Sequence, residues 1–553
     1  MTAGMPTPSF RFDPAGLEIM SPADRFDAFI ASLDTLTLAN LTDRLAATYG
    51  ARTAFILEQP LALPGGDGTT LSFSELGRLV VRATAAFHRL GLRRGERVAL
   101  CTRNRMELAV AEWAVVRAGG VAVPVGSRIA PEEIIRMIED AGARLLVADR
   151  QVLGGPLKGH RVPVEARVVV DGDDADGALG LARLIDVAGE GVPAADVRED
   201  DLAVIFYTSG TTGRAKGVML THGNLMFATR ATLRMTGMMG PPGRMLALLV
   251  MPLANTSGHQ GLLLSIARAT STIVLDRFDP GVILDLIERH RVNLVSGTPT
   301  MFRLLWDAGA EQRDLSSIVS FGGGGDYFDL DLVTRFRALP HGPETPVFFV
   351  TGYGMTETAG QVTQAFPAIE HDGDLGVVQA GIDYRVVDAG TRVAPGAIGE
   401  LEVRGPNVTP GYWNAPDATA AAFHDGWLRT GDLVIEEPAE ARRLRFAGRA
   451  KDVVISGGNT LYPPEIERVL LEHPAIARAA VVGIPDALMG EVPVAAVELR
   501  SGRQADEKTI LAWLRDRLAP YQRPRAVHVM ELPTSADLKV KRRLVADILA
   551  ARR

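Results

Sequence analysis

Between Val98 and Ala148 three short apolar runs, Val98 to Cys101, Val121 to Val125 and Arg144 to Ala148, alternate with two segments of helical periodicity, one around Met106 to Ala118 and one opened by Pro131. Strands separated by helices are the signature of βαβαβ units, a parallel sheet with helices on its faces. The segment just before them, Ser72 to Gly91, reads as a helix: Ser72 and Glu75 stand at capping-box spacing, and Leu76, Leu79, Val80, Ala83, Phe87 and Leu90 share one face. The alternation restarts at Ala203 to Tyr207 and continues through Thr272 to Leu275, Val292 to Val295, Ile318 to Phe321 and Val347 to Thr351, a second α/β layer set. After about Asp383 the texture changes to short alternating strands and turns, as in Gly399 to Gly405, which predicts a small antiparallel barrel or sheet. A boundary follows near Gly448, and beyond it a helix at YPPEIERVLLEHP and strands at Ala477 to Gly483 and Val492 to Leu499 form a separate α+β unit. The expected fold class is therefore α/β: a large N-terminal domain, residues 1–450, of two α/β layer sets plus a small β-barrel, and a small α+β C-terminal domain, residues 451–553.

A length of 553 residues is more than one core supports, and 47% hydrophobic with 23% charged residues excludes a disordered or fibrous class. The net charge of -7 gives no general attraction to nucleic acid or anionic lipid. The one cysteine, Cys101, lies in an apolar run and reads as core. The N-terminus lacks an uninterrupted apolar segment, and the apolar stretch Met245 to Ala254 is interrupted by Pro252 and falls well short of a bilayer span, so a cytoplasmic chain with no membrane segment is expected. Of the 59 basic side chains only six are lysines, Lys158, Lys216, Lys451, Lys508, Lys539 and Lys541. Against that bias, a retained lysine points to a need for a compact point charge rather than a planar fork.

The stretch YTSGTTGRAKGVMLTH, Tyr207 to His222, follows a predicted strand and so falls at the carboxyl edge of a sheet, where open α/β folds bind ligands. Gly210, Gly213 and Gly217 allow backbone amides to approach and turn toward an anion, Thr208, Ser209, Thr211 and Thr212 add hydroxyl donors, and Lys216 adds full charge. The metal-binding Ser or Thr of a kinase-like phosphate loop is missing, since Lys216 precedes Gly217, so another part of the chain must hold any metal. TGYGMTET, Thr351 to Thr358, follows a second predicted strand at the same kind of edge.

Together with GYW (411–413), TGD (430–432) and GRAKDVVISGGNTLYPPEIE (448–467), in this order, these stretches give the chain a resemblance to the acyl-adenylate-forming enzymes, which include acyl-CoA synthetases, luciferases and peptide-synthetase adenylation domains. The resemblance covers nearly the whole chain. It implies a C-terminal domain that is mobile and rotates between two half-reactions, with ATP, Mg²⁺ and coenzyme A as the small-molecule requirements. It also implies roles at matching positions. Tyr353 would stack on adenine, Thr356 would bond the α-phosphate, Glu357 would hold Mg²⁺, and Asp432 and Arg449 would take the ribose. Lys216 would offset charge on ATP, and Gly324 would line the nucleotide site along with Thr208, Ser209, Gly210, Thr211, Thr212 and Gly213. Lys539 aligns with the family lysine that contacts the reacting carboxylate, although Leu538 stands where the family has glycine and Lys541 is a close competitor. Lys451 aligns with the hinge, and Ser456, Gly457 and Gly458 with a loop beside the coenzyme A tunnel, their alternative being a tight turn.

The acid pocket implied by the resemblance lies near Asn255, His259, Gly323 and Gly352, where the glycines from Gly322 to Gly325 and Gly352 would leave space for the acid. His259 reads either as a pocket residue or as a packed histidine. The expected function is an ATP-dependent ligase that activates a medium-chain or aromatic carboxylic acid as acyl-AMP and transfers it to coenzyme A. An adenylate-forming ligase that does not use coenzyme A, and a non-catalytic nucleotide-binding protein, are the alternatives. The expected partners are small molecules alone, with no nucleic acid; a homodimer is left open.

Overall fold

The structure is a computed structural model and describes residues 23–64, 68–175, 177–189, 192–209, 215–239, 245–326, 328–340, 347–500, 502–535 and 538–552. The first α/β sheet has seven strands in the order Leu179–Gly180, Ala166–Val169, Leu145–Ala148, Arg97–Cys101, Val121–Pro124, Leu202–Ser209, Ala215–Thr221. All neighbours in it are parallel except the last pair, an antiparallel hairpin. The second has seven strands, Phe348–Gly352, Ser320–Gly324, Leu294–Gly297, Leu246–Leu249, Ser271–Val274, Thr53–Ile56 and Thr70–Ser72 in spatial order, again parallel but for its final pair.

Local chemistry accounts for the elements. The helix Phe73–Arg89 opens on a formed capping box: the Ser72 hydroxyl accepts from Glu75 N at 3.2 Å and Glu75 Oε2 accepts from Ser72 N at 2.8 Å. The helix Met106–Arg117 is buried all round, as expected of a helix without a polar stripe. Two of its three buried ionisable side chains have an arginine–carboxylate partner, Glu107 with Arg105 at 2.8 Å and Arg117 with Asp43 at 3.0 Å, while Glu112 Oε1 lies 2.6 Å from His259 Nε2. Cys101 is wholly buried in the strand beside it, and burial pushes its thiol pKa up, which removes thiolate chemistry from consideration.

The antiparallel sheet has eight strands and begins earlier than Asp383, with Thr363–Gln364 and Asp374–Val378. A register shift between Asp374 and Gly376, with Gly376 at φ +79°, breaks the alternation by which such a strand is recognised. The last sheet has five strands, Val454–Ser456, Asn459–Leu461, Ile476–Asp486, Gly490–Leu499 and Val527–Val529. Among the described residues the hydrophobic clusters fall on either side of residue 450, none with buried members from both sides. Across that division Arg500 Nη1 lies 3.3 Å from Asp307 Oδ1. No described helix is long and apolar enough to cross a membrane.

Candidate active site

Residues 207–209 and 215–221 of the stretch Tyr207 to His222 lie on paired strands. Leu202–Ser209 and Ala215–Thr221 pair in register, Ser209 with Ala215, Thr208 with Lys216 and Tyr207 with Gly217. Gly210, Thr211, Thr212 and Gly213 lie outside the described residues. Thr208 and Lys216 therefore stand opposite each other on facing strands. Gly217, expected to serve an anion, has a different reason to be glycine. It lies within the strand, and a Cβ there would come within 2.8 Å of Ile205 Cγ2 and 3.3 Å of Trp413 Cβ.

Trp413 belongs to a segment that clamps this hairpin. Trp413 N donates to Gly217 O at 2.7 Å, Met219 N donates to Gly411 O at 3.1 Å, and the Thr409 hydroxyl donates to Met219 O at 2.5 Å. The clamp seats Tyr412 beneath Lys216, whose Nζ is 5.1 Å from the ring centroid, a cation–π contact. The hydroxyl of Tyr412 donates to Glu357 Oε1 at 2.8 Å. Glu357 is buried in the short turn Thr356–Thr358, next to half-buried Thr356. Burial raises its pKa, opposed by the Tyr412 bond and by Lys216. Tyr412 is the site residue that sequence reasoning passed over. Its only signal was its place within GYW, one of the ordered motifs.

A second cluster forms around Asp432. Trp427–Glu436 and Arg443–Arg449 pair with Asp432 opposite Arg449, whose Nε lies 3.2 Å from Asp432 Oδ1. The Tyr353 hydroxyl donates to Asp432 Oδ2 at 2.7 Å. Burial raises the carboxyl pKa of Asp432, with Arg449 and Tyr353 pulling it back, while burial beside that carboxylate pushes the Tyr353 phenol well up. The structure thus brings Tyr353, Asp432 and Arg449 together as a polar triad able to present two carboxylate oxygens to a diol.

Lys539 reaches this region from the far side of the division at residue 450. Its Nζ lies against Gly325, where a Cβ would stand 2.9 Å from it. Gly325, at φ +82°, follows the strand that carries Gly323 and Gly324. Lys541, the competitor, is exposed and occupies the N-cap position of the helix Arg542–Ala550. Leu538 adopts φ +62°, so the turn that glycine would make freely is kept by a leucine at ~1–2 kcal/mol of strain.

The expected acid pocket fares differently. Asn255 precedes the helix Thr256–Ala267 without using its side chain as a cap. His259 is packed: its Nε2 lies 2.6 Å from Glu112 Oε1, with side chains 6% and 4% exposed, and Phe206 meets its ring edge-on at 5.4 Å. The glycines do not open space in the way expected of them. A Cβ at Gly323 would collide with Gly297 O, one at Gly352 with Thr363 O, one at Gly322 would lie 2.7 Å from Val350 O, and one at Gly324 would lie 3.0 Å from Gly352 O. These residues are glycine because neighbouring backbone crowds them.

Lys451 lies in the exposed turn Ala450–Asp452 directly after Arg449. Ser456 pairs with Asn459, leaving Gly457 and Gly458 as a two-residue hairpin loop with φ +56° and +79°, the pattern of a type I′ turn. That hairpin rests on its own domain, with Gly457 N donating to Met489 O at 2.8 Å. Of the two C-terminal motifs, the structure brings Lys539 to the N-terminal domain.

The AMP-binding enzyme family matches residues 42–413, and the AMP-binding enzyme C-terminal domain matches residues 465–539. A feruloyl-CoA synthase from Amycolatopsis is 35% identical over 490 residues, 86% of this chain and 93% of that protein. A methyl-dioxo-octahydroindenyl-propanoyl:CoA ligase from Mycobacterium tuberculosis is 34% identical over 528 residues, 92% of this chain and 98% of that protein. Among solved structures, the o-succinylbenzoate CoA synthetase of Bacillus subtilis in complex with its acyl-adenylate intermediate superposes with a TM-score of 0.76 at 28% identity, covering 92% of this chain and 97% of that one. The same synthetase has also been solved with ATP and a magnesium ion. With the two lysines, the carboxylates and the tyrosines held as described, the chain belongs to the AMP-binding enzyme family, among its acyl-CoA synthetases and ligases.

Proposed function

We propose that this protein activates a carboxylic acid larger than acetate, medium-length or aromatic, as its acyl-AMP and transfers the acyl group to coenzyme A, residues 1–450 holding ATP and acid and residues 451–553 turning about Lys451 between the two steps. One observation carries the reading: the Lys216–Tyr412–Glu357 group, the Tyr353–Asp432–Arg449 group and Lys539 converge from six separate stretches of chain. In the first step a carboxylate oxygen attacks the α-phosphorus of ATP and pyrophosphate leaves. In the second the coenzyme A sulfur attacks the acyl carbonyl carbon, its proton passes to solvent, and AMP leaves.

The residues divide this work. Asp432 and Arg449 hold the ribose, Tyr353 stands at the base, and Thr208 with Lys216 faces the phosphates. Lys539 brings the second positive charge to the point where two anions, carboxylate and phosphate, must meet. Glu357 suits a magnesium ion shared with the nucleotide: it is a lone buried carboxylate whose burial disfavours its charge, so a cation beside it restores the balance. Among the described residues no group of three or more His, Cys, Asp or Glu forms a cage of its own. A magnesium ion bound there supplies neutralisation of phosphate charge.

The relatives support an acid of this size, since by name they act on feruloyl and fused-ring propanoyl groups. Each CH₂ buried in an apolar wall adds ~0.8 kcal/mol, enough to favour acids that fill the site over acetate. Pyrophosphate exchange with a panel from acetate through octanoate to benzoate and cinnamate is the test. Aryl or medium-chain acids should exceed acetate by at least about tenfold in kcat/KM, and acetate as the best acid would contradict the reading.

A further inference from the structure

Leu538 carries a backbone cost that glycine in its place would not. At φ +62° it occupies the left-handed region, where a Cβ is penalised and glycine is not. Its backbone closes a turn: Leu538 N donates to Ser535 O at 3.0 Å, and Ser535 N donates to Lys539 O at 2.9 Å. Lys539 N donates to Ser535 Oγ at 3.1 Å. Arg478 Nη2 then donates to Leu538 O at 3.3 Å while its Nη1 is held by Glu498 at 3.0 Å. Glycine at this position would make every one of these bonds.

The side chain does something else. It is half-buried, and it packs against a hydrophobic cluster whose buried members all lie between Phe26 and Ile369, in the N-terminal domain. The next residue is Lys539, with its Nζ against Gly325. We propose that Leu538 is a positioning residue for acyl-AMP formation: its side chain anchors the lysine hairpin on the N-terminal domain, in the one arrangement that brings Lys539 to the reacting carboxylate. The anchor offsets the backbone strain only there. When the C-terminal domain turns away, the contact is lost and the strain is not, so Leu538 shifts the population toward the adenylating arrangement through a contact the other arrangement lacks. The inference rests on the reading of Lys539 given above.

The test measures the two half-reactions separately in the full-length protein, using the best acid from the exchange panel: acyl-AMP formation from ATP, and thioester formation from supplied acyl-AMP and coenzyme A. Leu538→Ala, which removes the anchor and keeps the strain, should lower kcat for acyl-AMP formation about fivefold to tenfold with KM for ATP unchanged. Thioester formation should be no slower than in the wild type. Leu538→Gly, which removes both, should also remain below the wild type in the first step. An adenylation rate at or above the wild-type value in either variant overturns the anchor, as does an equal loss in both half-reactions, which marks general damage. Lys539→Ala separates the two levels. If it loses acyl-AMP formation selectively while Leu538→Ala is silent, the anchor alone is wrong; if it spares acyl-AMP formation while Leu538→Ala does not, the reading of Lys539 is wrong and the anchor has no purpose.

Discussion

On the proposed reading, two lysines serve the same chemistry from hairpins built on opposite principles. Lys216 stands within a sheet, paired across to Thr208, with Tyr412 beneath it and the 409–413 segment bonded to its strand. Lys539 sits on a hairpin of the C-terminal domain, beside a strained leucine, and meets the N-terminal domain at Gly325. The first arrangement fixes a charge by local bonds within one domain, and the second delivers a charge from one domain to another. A cation needed whenever nucleotide is bound is served by the first. A cation needed only until the acyl-AMP has formed would be served by the second, because a domain that turns away takes its cation with it.

The largest expected effect breaks the two lysines apart. Lys539→Ala should lower kcat for acyl-AMP formation by about 10²–10³, the range for losing one group that stabilises charge at a reacting centre, with KM for ATP nearly unchanged. Lys216→Ala should instead raise KM for ATP, by about tenfold to a hundredfold, as expected for a charge-assisted contact to the bound nucleotide. Initial-rate kinetics over a grid of ATP and acid concentrations measure both. If the two variants share one pattern, the division of labour between the hairpins is wrong.

A smaller effect sharpens the description of the fixed hairpin. Tyr412→Phe keeps the ring under Lys216 and removes the bond to Glu357. That bond lowers the Glu357 pKa against the larger raising effect of burial, so its loss raises the pKa further. Glu357 must be ionised to hold a cation, and activity falls as pH drops through its pKa. The acid limb of the kcat/KM profile should therefore move to higher pH in Tyr412→Phe, with a loss of about threefold to tenfold at neutral pH. An unmoved acid limb would remove Glu357 from the metal site or Tyr412 from its control.

Features carried by neighbours in sequence were legible; those set by distant partners were not. The Ser72 and Glu75 capping box and the alternation of apolar runs gave the helix and both parallel sheets, because each depends on spacing within a few residues. The glycines misled, since a missing side chain has the same letter whether it makes room for a ligand or for the backbone of the next strand. Gly352 beneath Thr363 O and Gly323 beneath Gly297 O are the second case. His259 could not be assigned because its partner, Glu112, lies on a helix far back in the chain. Leu538 looked like a departure from the turn, yet the turn forms on its bonds to Ser535 and Arg478, and the side chain meets an apolar surface in the other domain that no local pattern records.

The central claim is that the arrangement seen is one of two, joined by the turn at Lys451. Lys451→Pro tests it most directly, since proline fixes φ near -65° and restricts the dihedral change a hinge requires. Acyl-AMP formation and thioester formation are to be timed separately in rapid-quench experiments on the purified variant. The account predicts acyl-AMP formation within about threefold of the wild type and thioester formation slowed by about a hundredfold or more. Thioester formation at the wild-type rate would contradict a large rotation at this residue, and with it the two-arrangement account.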